Sequence, residues 1–158
     1  MKKSIFGSLL VMGLLLLFAS CSGTSRNKQN GAGDAGNEQS TISHLTRAEF
    51  LKKVADYEKN PNEFKYLGDK PAIIDFYADW CAPCKKMAPA LDELSKEYAG
   101  RIYIYKVDVD NEKELASVFG IQSLPTIWFV PVKGDPQVKV GGMSKEQLKE
   151  YIDKVLLK

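Results

Sequence analysis

Residues 41–158 predict an α/β domain with the element order β-α-β-α-β-α-β-β-α, and three observations carry that prediction. Short apolar runs alternate with amphipathic stretches along the whole segment. Two spacings of the type Ser/Thr-x-x-Glu/Gln, Thr46 with Glu49 and Ser144 with Gln147, mark helix starts. Lys133-Gly134-Asp135-Pro136 separates two β-prone runs, as an antiparallel hairpin requires.

Residues 41–45 read as a short strand. Thr46 then caps a helix expected to run to Tyr57 or Lys59, where Asn60-Pro61-Asn62 stops it. Residues 72–78 form a compact apolar strand. Residues 82–98 are helical in pattern, with Met87, Leu91 and Leu94 three and four apart, and Gly100 ends that helix. Pro89 removes one hydrogen bond inside it. In residues 101–109 both alternating sets contain apolar side chains, so the strand is buried on two faces, unequally. Residues 111–118 read as a helix, and 126–130 with 137–140 as the hairpin. The last helix is expected to reach Leu157, with Leu148, Ile152, Val155 and Leu156 as its apolar stripe.

A chain of 158 residues holds one ordinary domain and a short extension, and 44% hydrophobic residues suffice for one core. The net charge is +2, and Lys2 and Lys3 account for both charges. Basic and acidic residues are interspersed, which excludes a nucleic-acid-binding stripe. Lys2 and Lys3 precede an apolar run from Ile5 to Ala19, which ends in Phe18-Ala19-Ser20-Cys21. That is a signal-peptide pattern over residues 1–20, shorter than the roughly 20 apolar residues of a membrane span. Small residues directly before a cysteine resemble the bacterial lipoprotein signal. The resemblance implies that Cys21 is lipidated and tethers an exported, periplasmic protein; ordinary cleavage near Ser20 is the alternative. Residues 22–40 carry no apolar side chain larger than alanine. They read as a flexible polar tether spanning roughly 25 Å root-mean-square.

Chemistry concentrates in Trp80-Cys81-Ala82-Pro83-Cys84. Two cysteines with two residues between them close a small ring when the first sits at a helix start and the second one turn inside. The helix dipole and free N–H groups there stabilise a Cys81 thiolate, and Cys84, expected to be less exposed, becomes its resolving partner. Pro83 suits an early helical position. Spacing alone also admits half a zinc site or a fixed crosslink. Zinc needs further ligands, and the chain has one histidine, His44, and one other cysteine, Cys21. No metal is expected, and His44 reads as an ordinary strand residue. Asp75 lies between Ile73-Ile74 and Phe76-Tyr77, so it is expected to be buried, with its pKa raised by desolvation.

The segment Asp75-Phe76-Tyr77-Ala78-Asp79-Trp80-Cys81-Ala82-Pro83-Cys84-Lys85 resembles the active-site segment of the thioredoxin family. The likeness continues in Pro89, Lys106-Val107-Asp108, Leu124-Pro125-Thr126 and Val140-Gly141-Gly142. Ala82 stands where thioredoxins usually have Gly, Tyr77 where Trp is frequent, and residues 60–70 enlarge the first-helix region. The resemblance implies a thioredoxin fold, with a central mixed sheet flanked by helices, and a Cys81/Cys84 dithiol that reduces protein disulfides without a cofactor. It further implies Asp75 as proton acceptor for Cys84 and Lys106 as its charge modulator. A cis Leu124–Pro125 bond, with Trp80, Ala82, Pro83, Thr126 and Gly141, would form the substrate groove.

Three functional readings stay open: a reductase of exported disulfides, an oxidase or isomerase, and a non-catalytic binding module. Pro83 before the second cysteine resembles reducing thioredoxins, whereas strongly oxidising relatives carry His there. An exported reductase implies a membrane-bound electron donor, disulfide-bearing exported proteins as partners, and a monomeric domain.

Overall fold

The structure is a computed structural model, and it describes residues 41–158. The signal segment 1–20, Cys21 and the tether lie outside the described residues. The elements are β1 (Ile42–His44), α1 (Arg47–Lys53), β2 (Ala72–Tyr77), α2 (Ala82–Glu97), β3 (Tyr103–Asp108), α3 (Lys113–Val118), β4 (Thr126–Val130), β5 (Gln137–Val140) and α4 (Lys145–Tyr151). One five-stranded sheet runs β1-β3-β2-β4-β5. β1, β3 and β2 are parallel, whereas β4 is antiparallel to both β2 and β5.

The period-two geometry of the strands sorts their side chains into two cores. Ile73, Ile104, Ile127 and Phe129 face Met87, Leu91 and Leu94 of α2 and Leu148 of α4. Ile74, Phe76, Tyr105, Val107 and Trp128 face the other way, against Phe50 of α1 and Leu115 of α3. Each fully buried aliphatic or Phe side chain contributes about 1.5–3 kcal/mol of transfer free energy, which is what holds the helices to the sheet. Both capping boxes form: Thr46 and Ser144 accept from the backbone N–H of Glu49 and Gln147, whose side chains accept in return.

Two helices depart from the expected lengths. α1 stops at Lys53 rather than Tyr57 or Lys59, because Val54 and Ala55 turn inward into the core and the Leu67 N–H donates to the Val54 carbonyl. Residues 60–70 therefore return along the α1 face, where Phe64 and Tyr66 pack on the core. The last helix widens after Tyr151 into a π-helical turn, Ile152–Leu156. Leu148, Ile152 and Leu156 are spaced by four and all three are buried, so the wider turn keeps them on one face.

Candidate active site

The α2 helix begins where β2 ends, and Cys81 is its N-cap. Its Sγ accepts the Cys84 backbone N–H at 3.2 Å, with Pro83 in the first turn, where no intrahelical N–H partner is needed. Cys81 and Cys84 form a disulfide, with Cα atoms 5.3 Å apart. Both are buried, at 3% and 2% exposure, so the expected contrast in exposure is absent in this oxidised pair. The pair rests on Ala78, with Tyr77, Val109 and Leu124 packed around it. The sulfur that faces the helix start receives an N–H and the positive end of the dipole, and both favour a thiolate at Cys81 once the bond is reduced.

Asp75 is fully buried, two residues along β2 from Tyr77. Lys106 Nζ lies 3.2 Å from its Oδ2 as an ion pair, and no other donor among the described residues hydrogen-bonds either carboxylate oxygen. Desolvation pushes the Asp75 pKa up, and the Lys106 ammonium pulls in the opposite direction without cancelling it. A cleft of about 170 Å³, lined by Cys84, Lys106 and Tyr77 among others, connects the lysine with the second cysteine. It has room for water.

The remaining predicted residues gather at the same end of the sheet. The Leu124–Pro125 peptide is cis. The Gly141 N–H donates to the Pro125 carbonyl at 2.8 Å, which ties the proline loop to the end of β5. Gly141 has φ +98° with nothing within 4 Å of where a Cβ would stand, and a Cβ on Gly142 would lie 3.6 Å from Pro83, so Pro83, Gly142 and Gly141 line a short path that ends at the buried Pro125. Thr126 is buried and donates to the Ser123 carbonyl. Ala82 and Pro83 are exposed. Trp80 is 71% exposed, and its Nε1 donates to Asp110 Oδ2 at 2.8 Å.

Two neighbours of the site were not legible in the sequence. Asp110 anchors Trp80 from the loop after β3, and no spacing singles it out. His44 was expected to be an ordinary strand residue, but its Nδ1 lies 3.1 Å from the Tyr77 hydroxyl. The signal for His44 is strand register, which a single sequence does not print. Among the described residues no group of three His, Cys, Asp or Glu side chains is placed to hold a metal.

A dithiol at a helix start, backed by a buried carboxylate and bordered by a cis-proline loop, defines a thiol:disulfide oxidoreductase. The thioredoxin family model matches residues 41–154, and the chain belongs to the thioredoxin family. It is 50% identical to thioredoxin of Borreliella burgdorferi over 108 residues, which cover 68% of this chain and 92% of that one. It is 34% identical to thioredoxin of Haemophilus influenzae, covering 72% and 96% of the two chains. It is 36% identical to the chloroplastic M-type thioredoxin of Spinacia oleracea, covering 69% of this chain and 61% of that longer one. The crystal structure of chloroplastic thioredoxin z superposes with a TM-score of 0.59 at 25% identity, over 72% of this chain and 93% of the other. The enzyme class follows from the family and the Cys-x-x-Cys pair: a protein-disulfide reductase of the thioredoxin type.

Proposed function

We propose that this thioredoxin works outside the cytoplasm, tethered to a membrane through Cys21, and reduces disulfides in exported proteins. The observation that carries the chemistry is the Cys81–Cys84 pair capping α2 beside the buried Asp75. The location rests on Lys2, Lys3, the apolar run to Ala19, the small residues before Cys21 and the polar stretch 22–40.

In the reducing direction the Cys81 thiolate attacks one sulfur of a partner disulfide. The other partner sulfur leaves as a thiolate and takes a proton from water. Cys84 then gives its proton to the Asp75 carboxylate, and its sulfur attacks Cys81 Sγ. The Cys81–Cys84 disulfide forms, the second partner sulfur leaves as a thiolate, and two electrons have passed to the partner. Lys106 keeps Asp75 ionised enough to accept that proton. Trp80, Ala82, Pro83, Leu124, Pro125, Thr126 and Gly141 hold the partner segment as an extended strand. The domain acts as a monomer, and a membrane-bound donor returns its electrons.

The second reading is an oxidase or isomerase. Pro83 before Cys84 favours the reductase. Thioredoxin lies near about −270 mV and a strong oxidase near about −120 mV, a gap of about 7 kcal/mol for two electrons. Equilibration of the Cys81–Cys84 couple with a glutathione buffer decides between them: a potential above about −180 mV rejects the reductase. Insulin reduction by the wild type and by Cys81→Ser tests for a non-catalytic module, which would show no thiol-dependent turnover. Metabolic labelling with a radioactive fatty acid, in wild type and Cys21→Ala, tests the tether.

A further inference from the structure

Lys106 is the centre of an arrangement that extends past Asp75. In the β1–β3 pairing Lys106 is the register partner of His44, and in the β2–β3 pairing it is the register partner of Asp75. Register partners share a sheet face, so His44, Lys106 and Asp75 form one row across three strands. Tyr77 stands on that face too, two residues beyond Asp75. Its ring lies beneath the Lys106 ammonium, with Nζ 4.2 Å from the ring centroid. Its hydroxyl is hydrogen-bonded to His44 Nδ1 at 3.1 Å, and the two rings meet edge to face at 5.8 Å.

Nothing within Lys106 itself fixes this pose. A lysine stem has four rotatable bonds and a strongly hydrated head, and the cleft on the His44 side of the residue offers it a way to water. That cleft is also lined by Asp108, which accepts from the Asp110 N–H and the Asn111 amide, and by Glu112, which accepts from the Arg47 N–H, so both carboxylates already have donors. On the Cys84 side, Asp79 and Lys85 line the other cleft, one attracting and one repelling it. The 3.2 Å ion pair with Asp75 draws the ammonium inward but does not by itself fix the four rotatable bonds of the stem. The Tyr77 ring adds a second hold, because the Nζ that lies 4.2 Å from its centroid is the one 3.2 Å from Asp75 Oδ2. The ring is in turn held by the hydrogen bond between its hydroxyl and His44 Nδ1 and by the edge-to-face contact of the two rings.

We propose that His44 and Tyr77 are positioning residues of the dithiol site, which hold the Lys106 ammonium against Asp75 and so set the ease with which that carboxylate takes the Cys84 proton. The inference rests on the assignment of Asp75 and Lys106 to the proton step. Tyr77 stands where other thioredoxins frequently carry a Trp, which cannot offer a hydroxyl to His44. The His44–Tyr77 link is therefore a feature of this chain's own residues.

The test is the titration of the Asp75 carboxyl, followed by carbon NMR in the oxidised protein, where neither cysteine titrates. Releasing Lys106 removes a stabilising charge from the carboxylate, so the Asp75 midpoint should rise. Tyr77→Leu, which deletes the ring, is expected to raise it by about half to one pH unit. Tyr77→Phe, which keeps the ring and loses the anchor, should raise it by less, in the same direction. His44→Gln should do so too, and in the Lys106→Met background only the part that comes from His44's direct interaction with Asp75 should remain. Lys106→Met should raise it most, and adding Tyr77→Leu to Lys106→Met should shift it no further, because Tyr77 acts through the lysine. A structural role for Tyr77 would not show that dependence. Midpoints equal to wild type in Tyr77→Phe and His44→Gln overturn the proposal even if Tyr77→Leu fails to fold. So does an equal Tyr77→Leu shift with and without Lys106. An unmoved midpoint in Lys106→Met rejects the underlying assignment of Lys106 instead.

Discussion

Asp75 and Lys106 face each other across the β2–β3 pair with 3.2 Å between Oδ2 and Nζ, and no other donor among the described residues hydrogen-bonds the carboxylate. A buried carboxylate whose one partner is a single ammonium is poorly solvated in its charged form. That is a cost to the fold and an asset to the chemistry, since such a group takes up a proton readily.

The cost has a sign that can be measured. Burial raises the Asp75 pKa above its unfolded value, so the folded state keeps this proton to higher pH than the unfolded chain. The stability Asp75 contributes is complete below the unfolded value of about 3.9 and is lost as pH rises through the folded one. Asp75→Asn removes that loss. Urea unfolding of the two oxidised proteins should show the variant gaining on wild type as pH rises from about 4 through the folded Asp75 midpoint. Its insulin turnover should fall over the same range. A stability difference independent of pH would contradict the picture of a strained carboxylate.

Much of this site could be read in the sequence because its parts are local. Cys81, Pro83 and Cys84 share one helical turn, and Asp75 is a charge inside an apolar run. The capping pairs of α1 and α4 are legible for the same reason. The stop of α1 at Lys53 was not, because it depends on Val54 and Ala55 finding a core built from distant strands and on the return of Leu67. The π-helical turn after Tyr151 likewise answers to packing on the sheet. His44 beside Tyr77 and Asp110 beside Trp80 are contacts over 33 and 30 residues, which only strand register brings together.

The order of the two sulfurs gives the next prediction. Cys81 caps the helix and receives the Cys84 N–H, while Cys84 adjoins the cleft that leads to Lys106. Cys84→Ser should therefore complete the first attack and stall, accumulating mixed disulfides through Cys81 that a non-reducing gel resolves and dithiothreitol dissolves. Cys81→Ser should accumulate none. Adducts of equal yield from both variants would remove the assignment of attacker and resolver.

Trp80 exposes most of its ring beside the disulfide while Asp110 holds its indole N–H. An exposed aromatic fixed in place at low entropy is suited to partner contact. Trp80→Ala should cut kcat/KM for a folded protein disulfide roughly tenfold, equivalent to about 1.4 kcal/mol, mainly through KM. Asp110→Asn should show a smaller loss of the same kind, with stability lowered by less than about 1 kcal/mol. Equal losses on a small-molecule disulfide would place the effect on the dithiol rather than on the contact surface.

Gly141 and Gly142 are adjacent yet respond to different constraints. At Gly141 a Cβ would meet nothing within 4 Å, but φ is +98°, a conformation that side chains resist. Gly142 has no such φ, and its Cβ would sit in ordinary contact with Pro83 at 3.6 Å. Gly141→Ala should therefore lose about 1–2 kcal/mol in chemical denaturation, although it removes no contact. It should also loosen the N–H bond from Gly141 to the Pro125 carbonyl, visible as faster hydrogen exchange at that amide. Gly142→Ala should change stability by less than about 0.5 kcal/mol, while larger side chains there press on Pro83 and reduce turnover with protein substrates. If Gly141→Ala proves as stable as wild type, the loop adopts another backbone in solution. The groove bounded by Pro125 and Gly141 would then not be preformed.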